Sequence, residues 1–185
     1  MRKLFLTLFG AVLSFATPVS AQTAQGAAMS KPKILIAYYS YSGNTAAVAR
    51  AIQAQTGGDL YEIRSDHTYP DAYRPMTEQA KKEIASGFRP AMTGGVIDVT
   101  PYDVVFIGSP NWWGTVAPHI HSFLESVNLS GKRVIPFVTH GGGGVQNTTR
   151  DLTAACKGCV VEPSGWAGYG AGTVGLTDWV AGLKL

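Results

Sequence analysis

The chain has 185 residues, 15 Lys and Arg against 12 Asp and Glu, a formal charge of +3 and two cysteines. Two of the basic residues, Arg2 and Lys3, stand at the extreme N-terminus, and without them the charge is close to neutral. That balance, with no Lys/Arg stripe interleaved with aromatics, argues against nucleic acid as the main partner, and two thiols cannot complete a four-ligand zinc site unaided.

Arg2 and Lys3 precede an apolar run, Leu4 to Ala16, which leads to Val19-Ser20-Ala21. A basic start, a short apolar stretch and a small-residue ending predict a signal peptide over 1–21, cut after Ala21. The run is shorter than the ~20 apolar residues a membrane span needs. Paired arginines are absent, which favours general export over the twin-arginine route. The expectation is a periplasmic or secreted protein with no membrane insertion after cleavage. Residues 22–32 are small and polar without periodicity, a flexible leader. Residues 33–185 suit one domain of ordinary size.

Strands then alternate with helices. Residues 33–39 (KILIAYY) read as a strand buried on both faces. Residues 45–55 carry Val48, Ala49 and Ile52 at helical spacing. A short strand is expected at 59–63, a turn-rich stretch at 64–75 and a polar-faced helix at 76–86. Residues 103–109 (DVVFIGS) form the third strand and 116–127 a helix. Residues 132–139 form the fourth strand, in which Pro136 is awkward for a central position. A helix at 146–156, a fifth strand at 160–166 and a short helix at 177–183 complete the chain. The fourth helix ends on Cys156 and Cys159, where an exported protein is expected to carry a local disulfide.

This alternation implies an α/β parallel sheet with helices on both faces, whose ligands sit at the carboxyl ends of the strands. Three loops fall there. SYSGNT, Ser40, Tyr41, Ser42, Gly43, Asn44 and Thr45, offers hydroxyls, an amide and close backbone approach at a helix N-terminus, which suits a phosphate held by neutral donors. One helix cap would account for one or two of these residues, not six. SPNWWGT places Trp112 and Trp113 where a flat ring could stack, with one of the two expected to pack beneath the loop. THGGGG (139–144) exposes bare backbone. Phosphate cradle, aromatic wall and open backbone together describe a nucleotide carrying a planar heterocycle.

On these residues the stretch from Lys33 to Leu185 resembles the flavodoxin-like family, most closely its short-chain members with a Pro-x-Trp-Trp-Gly second loop. That loop is Pro110, Asn111, Trp112, Trp113 and Gly114. The family's phosphate loop matches Ser40 through Thr45, and its Thr-His-Gly-Gly loop matches Thr139, His140, Gly141 and Gly142. Its Tyr-Pro…Tyr segment matches Tyr69, Pro70 and Tyr73. The resemblance implies a three-layer flavodoxin-like sandwich around a five-stranded parallel sheet of order 2-1-3-4-5. It also implies non-covalently bound FMN, phosphate on the first loop and isoalloxazine between the second and third. Flavodoxins that shuttle single electrons tend to be strongly acidic, and this chain is not.

Rival motifs are weaker. GAGTVG (170–175) fits a dinucleotide fingerprint, but the chain ends before the acidic residue that pattern needs about 20 positions on. No glycine run leads into a Walker lysine. Neither Ser40 nor Ser42 is flanked as a hydrolase nucleophile would be. His119 and His121 are expected on a helix surface rather than in catalysis. Two function classes remain: an FMN-dependent oxidoreductase or electron carrier with a nicotinamide, quinone or protein redox partner, and an exported flavodoxin-like binding module without flavin. None of the three loops contains Asp or Glu, which leans toward a two-electron reductase.

Overall fold

The computed structural model describes residues 31–185. The expected signal peptide and most of the leader lie outside the described residues. Among the described residues no helix is long and apolar enough to cross a membrane.

The central sheet is parallel. Strand β1 (Ile34–Tyr38) pairs with β2 (Asp59–Glu62) on one side, following helix α1 (Asn44–Thr56). A two-residue strand β3 (Arg64–Ser65), helix α2 (Tyr73–Ser86) and strand β4 (Met92–Thr93) come next, with β3 and β4 forming a small antiparallel ladder of their own. Strand β5 (Val104–Trp112) pairs with the other side of β1. It doubles back as β6 (Thr115–Val116) before helix α3 (Pro118–Ser126). Then come β7 (Arg133–His140), α4 (Thr148–Ala155), β8 (Val160–Val161), β9 (Trp166–Tyr169) and α5 (Leu176–Gly182). The order β2-β1-β5-β7-β8 is the expected 2-1-3-4-5.

Alternation along the strands divides two cores, because successive side chains point to opposite faces. Leu35, Ala37, Val105, Ile107 and Val134 face α2, α3 and α4. Ile34, Ile36, Phe106, Ile135 and Phe137 face α1 and α5. Phe137 needs the absence of a side chain opposite it, since a Cβ on Gly108 would lie 2.1 Å from its ring.

The fifth strand departs from expectation: it is two pieces, β8 against Arg133 and Val134 and β9 against Phe137 to His140. Pro136 is the cause. Val160 N–H donates to the Lys132 carbonyl and Glu162 N–H to that of Val134, so even-numbered residues of β7 face this neighbour. Pro136 has no N–H to continue that ladder. Glu162 to Gly165 therefore bow around it, with Gly165 so close that a Cβ would meet the Pro136 ring at 2.8 Å. Residues 103–109 also prove too short a strand, because SPNWWGT is a hairpin rather than an irregular loop. Helix α3 begins two residues later than expected, with Pro118 in its first turn, where the missing N–H costs nothing. The disulfide Cys156–Cys159 is present and follows α4 as anticipated.

Candidate functional site

A cavity of about 880 Å³ opens at the carboxyl ends of β1, β5 and β7, and the three loops converge on it. Of the residues singled out from sequence, Tyr41, Ser42, Asn44, Pro110, Asn111, Trp112, Trp113, Gly114, Thr139, His140 and Gly141 line it. Ser40, Gly43, Thr45 and Gly142 are not among the lining residues.

The first loop turns into α1 at Gly43, whose φ of 84° suits a residue without Cβ. No side chain caps α1 at this position. Ser40 Oγ accepts from the Ala46 N–H (3.1 Å) and so supplies the capping that the sequence suggested. Ser42 is exposed, and among the described residues it and the N–H groups of Gly43, Asn44 and Thr45 have no partner. Unspent donors at a helix N-terminus make a site for an anion. Thr45 serves differently. It is buried, and its hydroxyl is 2.8 Å from that of Thr139, tying the first loop to the third.

The second loop is a tight hairpin in which Trp112 pairs with Thr115 across the two turn residues Trp113 and Gly114. Both have positive φ, 53° and 85°, the mirror-image turn that matches strand twist. For a bulky side chain this conformation is an outlier that costs of order 1–3 kcal/mol. It holds Trp113 half-exposed at the cavity mouth, where its Nε1–H donates to the Thr77 carbonyl (2.8 Å) and Lys81 Nζ sits 4.6 Å over its ring. Trp112 is the packed member of the pair, edge-on to Tyr39, Tyr41 and Tyr69.

The four-glycine loop is tethered. Gly142 N–H donates to His140 Nδ1 (3.0 Å), and Asn111 Nδ2 donates to the Gly144 carbonyl (2.7 Å). Asn111 Oδ1 in turn accepts from Gly114 N–H (2.9 Å), so one amide joins the hairpin tip to the glycine loop.

Tyr73 of the Tyr-Pro…Tyr segment and Gly143 of the glycine loop also line the cavity, whereas sequence reasoning missed Met76, Thr77 and Ala80 on α2, and Gln146, Tyr169 and Gly170. Met76 and Ala80 had a signal in their apolar i, i+4 spacing on a polar helix. Tyr169 had none, because the fifth strand was expected to end before it. Among the described residues, no Asp, Glu, Lys or Arg lines the cavity.

Behind Trp112 lies a polar layer. Glu83 accepts from Tyr69 Oη (2.5 Å), Gln79 Nε2 (2.8 Å) and His67 Nε2 (2.7 Å). Burial, then the bond to Glu83, raises the Tyr69 hydroxyl far above the ordinary phenol range. His119 overturns the expectation of a surface position. It is 1% exposed, stacks on Tyr39 with centroids 3.7 Å apart, and lies 2.9 Å from Ser65 Oγ through Nε2. Burial, with His67 nearby, lowers its pKa to about 4. It lines no part of the cavity. Its helix turns inward there because Ile120 and Phe123, its neighbours on the same face, are core.

The flavodoxin family model matches residues 33–183. A candidate flavoprotein from Bacteroides eggerthii is 30% identical, over 83% of this chain and 99% of that one, with a TM-score of 0.71. One from Bacteroides uniformis is 29% identical, over 82% and 99%, with a TM-score of 0.74. A flavoprotein from Lactobacillus acidophilus in complex with FMN is 26% identical, over 80% and 98%, with a TM-score of 0.67. Sheet order, loop placement and these matches agree, and the chain belongs to the flavodoxin family.

Proposed function

We propose that the chain binds FMN in this cavity and acts as a flavin-dependent oxidoreductase or electron-transfer protein. The observation that carries the reading is the free donor set at the N-terminus of α1, beside an aromatic hairpin and a bare glycine loop. The residues fit the group. Ser42, Asn44 and the N–H groups of Gly43 to Thr45 would hold the phosphate without a cation. Trp113 and the backbone of Gly141 to Gly143 would flank the ring, and Trp112 closes the wall behind it against water. FMN, when bound, supplies reversible acceptance of one or two electrons. The Thr45–Thr139 bond and the Asn111 bridge keep the three loops in one arrangement, which limits the ordering that binding must otherwise impose.

An uncharged lining favours turnover with a small redox partner, nicotinamide or quinone, over docking as an acidic shuttle. The export signal supports a periplasmic or secreted location. Intact mass of protein expressed with its native leader tests it, with a mature chain starting at Gln22 as the expected result.

The deciding experiment titrates FMN and riboflavin into apo-protein and into Ser42→Ala. A hydrogen bond to a charged group contributes about 1.5–3 kcal/mol. Ser42→Ala should therefore weaken FMN by roughly ten- to a hundredfold and leave riboflavin unchanged. Equal affinity of the wild type for both flavins would refute the phosphate site, and absence of any flavin binding would leave the non-catalytic module standing.

A further inference from the structure

Two side chains in the cavity wall have their polarity set by the backbone. A backbone N–H can only donate, so His140 Nδ1, 3.0 Å from Gly142 N, must accept. A neutral imidazole then carries its proton on Nε2. The second case runs through Asn111. Gly114 N–H requires Oδ1 on one side and the Gly144 carbonyl requires Nδ2 on the other, so the amide has one possible orientation. Nδ2 also donates to Gln146 at 3.0 Å, and the atom receiving it must be Oε1. Gln146 is therefore left with Nε2 as its outward group.

His140 Nε2 and Gln146 Nε2 have no partner among the described residues, and both side chains line the cavity. Each is held in place. His140 is the last residue of β7, registered against Tyr169, and its carbonyl accepts from Gly170 N–H (2.9 Å). Gln146 has φ of 45°, a conformation uncommon for a residue with a side chain, and its Oε1 would lie 3.0 Å from a Cβ on Gly143. Among the described residues, the wall they share with Gly141 and Gly143 contains no carboxylate and no cation. It offers hydrogen-bond donors that carry no charge of their own.

From this geometry we infer that His140 and Gln146 are fixed neutral donors that favour the reduced, negatively charged flavin over the oxidised one. The inference rests on the FMN reading. Uptake of two electrons and one proton leaves the ring with one negative charge. Donors already in position stabilise that charge without reorganisation, as a neutral imidazole held in one tautomer can. The donors differ from a lysine or arginine in selectivity. They add little attraction for the oxidised, uncharged ring, so their effect falls on the difference between the two states.

Two measurements test this. On apo wild type, ¹⁵N NMR of the neutral His140 ring should give a bare Nδ1 and a protonated Nε2. The opposite tautomer would overturn the inference while leaving FMN binding intact. On holo-protein, the midpoint potential of bound against free FMN gives the ratio of the affinity for reduced FMN to that for oxidised FMN. His140→Phe should lower that ratio about tenfold, or about 30 mV for a two-electron couple, and His140→Gln should restore most of it. Gln146→Glu, which replaces the donor with an anion, should lower it further than Gln146→Met. Unchanged potentials in His140→Phe and Gln146→Met would overturn the inference with the cofactor reading still standing. A wild type that binds no FMN overturns both.

Discussion

The two faces of the sheet are built for different ends. The face toward α1 and α5 is packed mainly with Ile, Val, Ala and Phe side chains. The face toward α2, α3 and α4 carries Tyr39, Trp112 and His119, with Tyr41, Tyr61 and Tyr69 packed against it. The first face has few groups that need a partner. The second buries ring N–H and hydroxyl groups, each of which needs a neighbour, and that layer backs directly onto the cavity. The contrast suggests that the aliphatic face fixes the strand frame, whereas the polar face fixes the shape of the site.

The largest effect should come from breaking the aliphatic face. Phe106 is fully buried there, edge-on to Trp179. Phe106→Ala should cost about 3–5 kcal/mol in urea unfolding. At low temperature, the fraction that stays folded should keep the wild-type preference for FMN over riboflavin. Loss of that preference would mean that the two faces are not separable.

The polar face should announce itself through pH. His119 has a folded-state pKa near 4 against an ordinary 6.5. The unfolded chain therefore takes up this proton first, and stability present above pH 6.5 is lost as pH falls toward 4. From pH 7 to pH 5 the expected loss from this residue is about 2 kcal/mol. Denaturant midpoints across that range check it, with His119→Phe as the control that should flatten the slope.

The disulfide belongs to the same face but to the opposite end of the sheet, since α4 leaves the glycine loop and ends at Cys156. Closing so small a loop constrains the unfolded chain little, by about 2 kcal/mol or less. A Cys156→Ser, Cys159→Ser double variant should lose no more than that and should bind and reduce FMN as wild type does. Impaired flavin reduction would show instead that the pair exchanges electrons.

The smallest effect on stability is expected at Trp113. Trp113→Gly relieves a backbone conformation costing of order 1–3 kcal/mol. It also removes the bond to Thr77 and the Lys81 contact, each worth about 1 kcal/mol. Stability should stay within about 1 kcal/mol of wild type while FMN affinity drops more than tenfold. Unchanged affinity would move the ring away from this hairpin.

The alternation of strands and helices, the cavity's place at the strand ends and the three loops were legible in local signals: apolar runs of strand length, helical spacing, and turn residues at fixed points. The strand order followed from the family resemblance, not from those signals. The packing of one tryptophan of the pair was anticipated, but which one was not, because Trp112 and Trp113 differ only in their place on the hairpin. Likewise, SYSGNT reads as small hydroxyl side chains, an amide and an open backbone, with nothing to tell one hydroxyl's role from another's. The fold assigns Ser40 to Ala46 and Thr45 to Thr139, and leaves Ser42 and the first-turn N–H groups free. Those roles depend on residues as far as 94 positions away.

What the sequence determined by itself is the frame, since periodicity and turn chemistry act over a few residues. Tertiary structure decided which polar groups are spent and which remain. His119 shows the limit most clearly. Its core neighbours on α3, Ile120 and Phe123, turn it inward, but the groups that receive it there, Tyr39 stacked on one side and Ser65 bonded on the other, come from distant parts of the chain. The split fifth strand shows the same thing in the backbone. Pro136 announces a defect in the sequence, but whether the missing N–H would face a neighbour depended on which strand lay beside it, and that is set by long-range pairing.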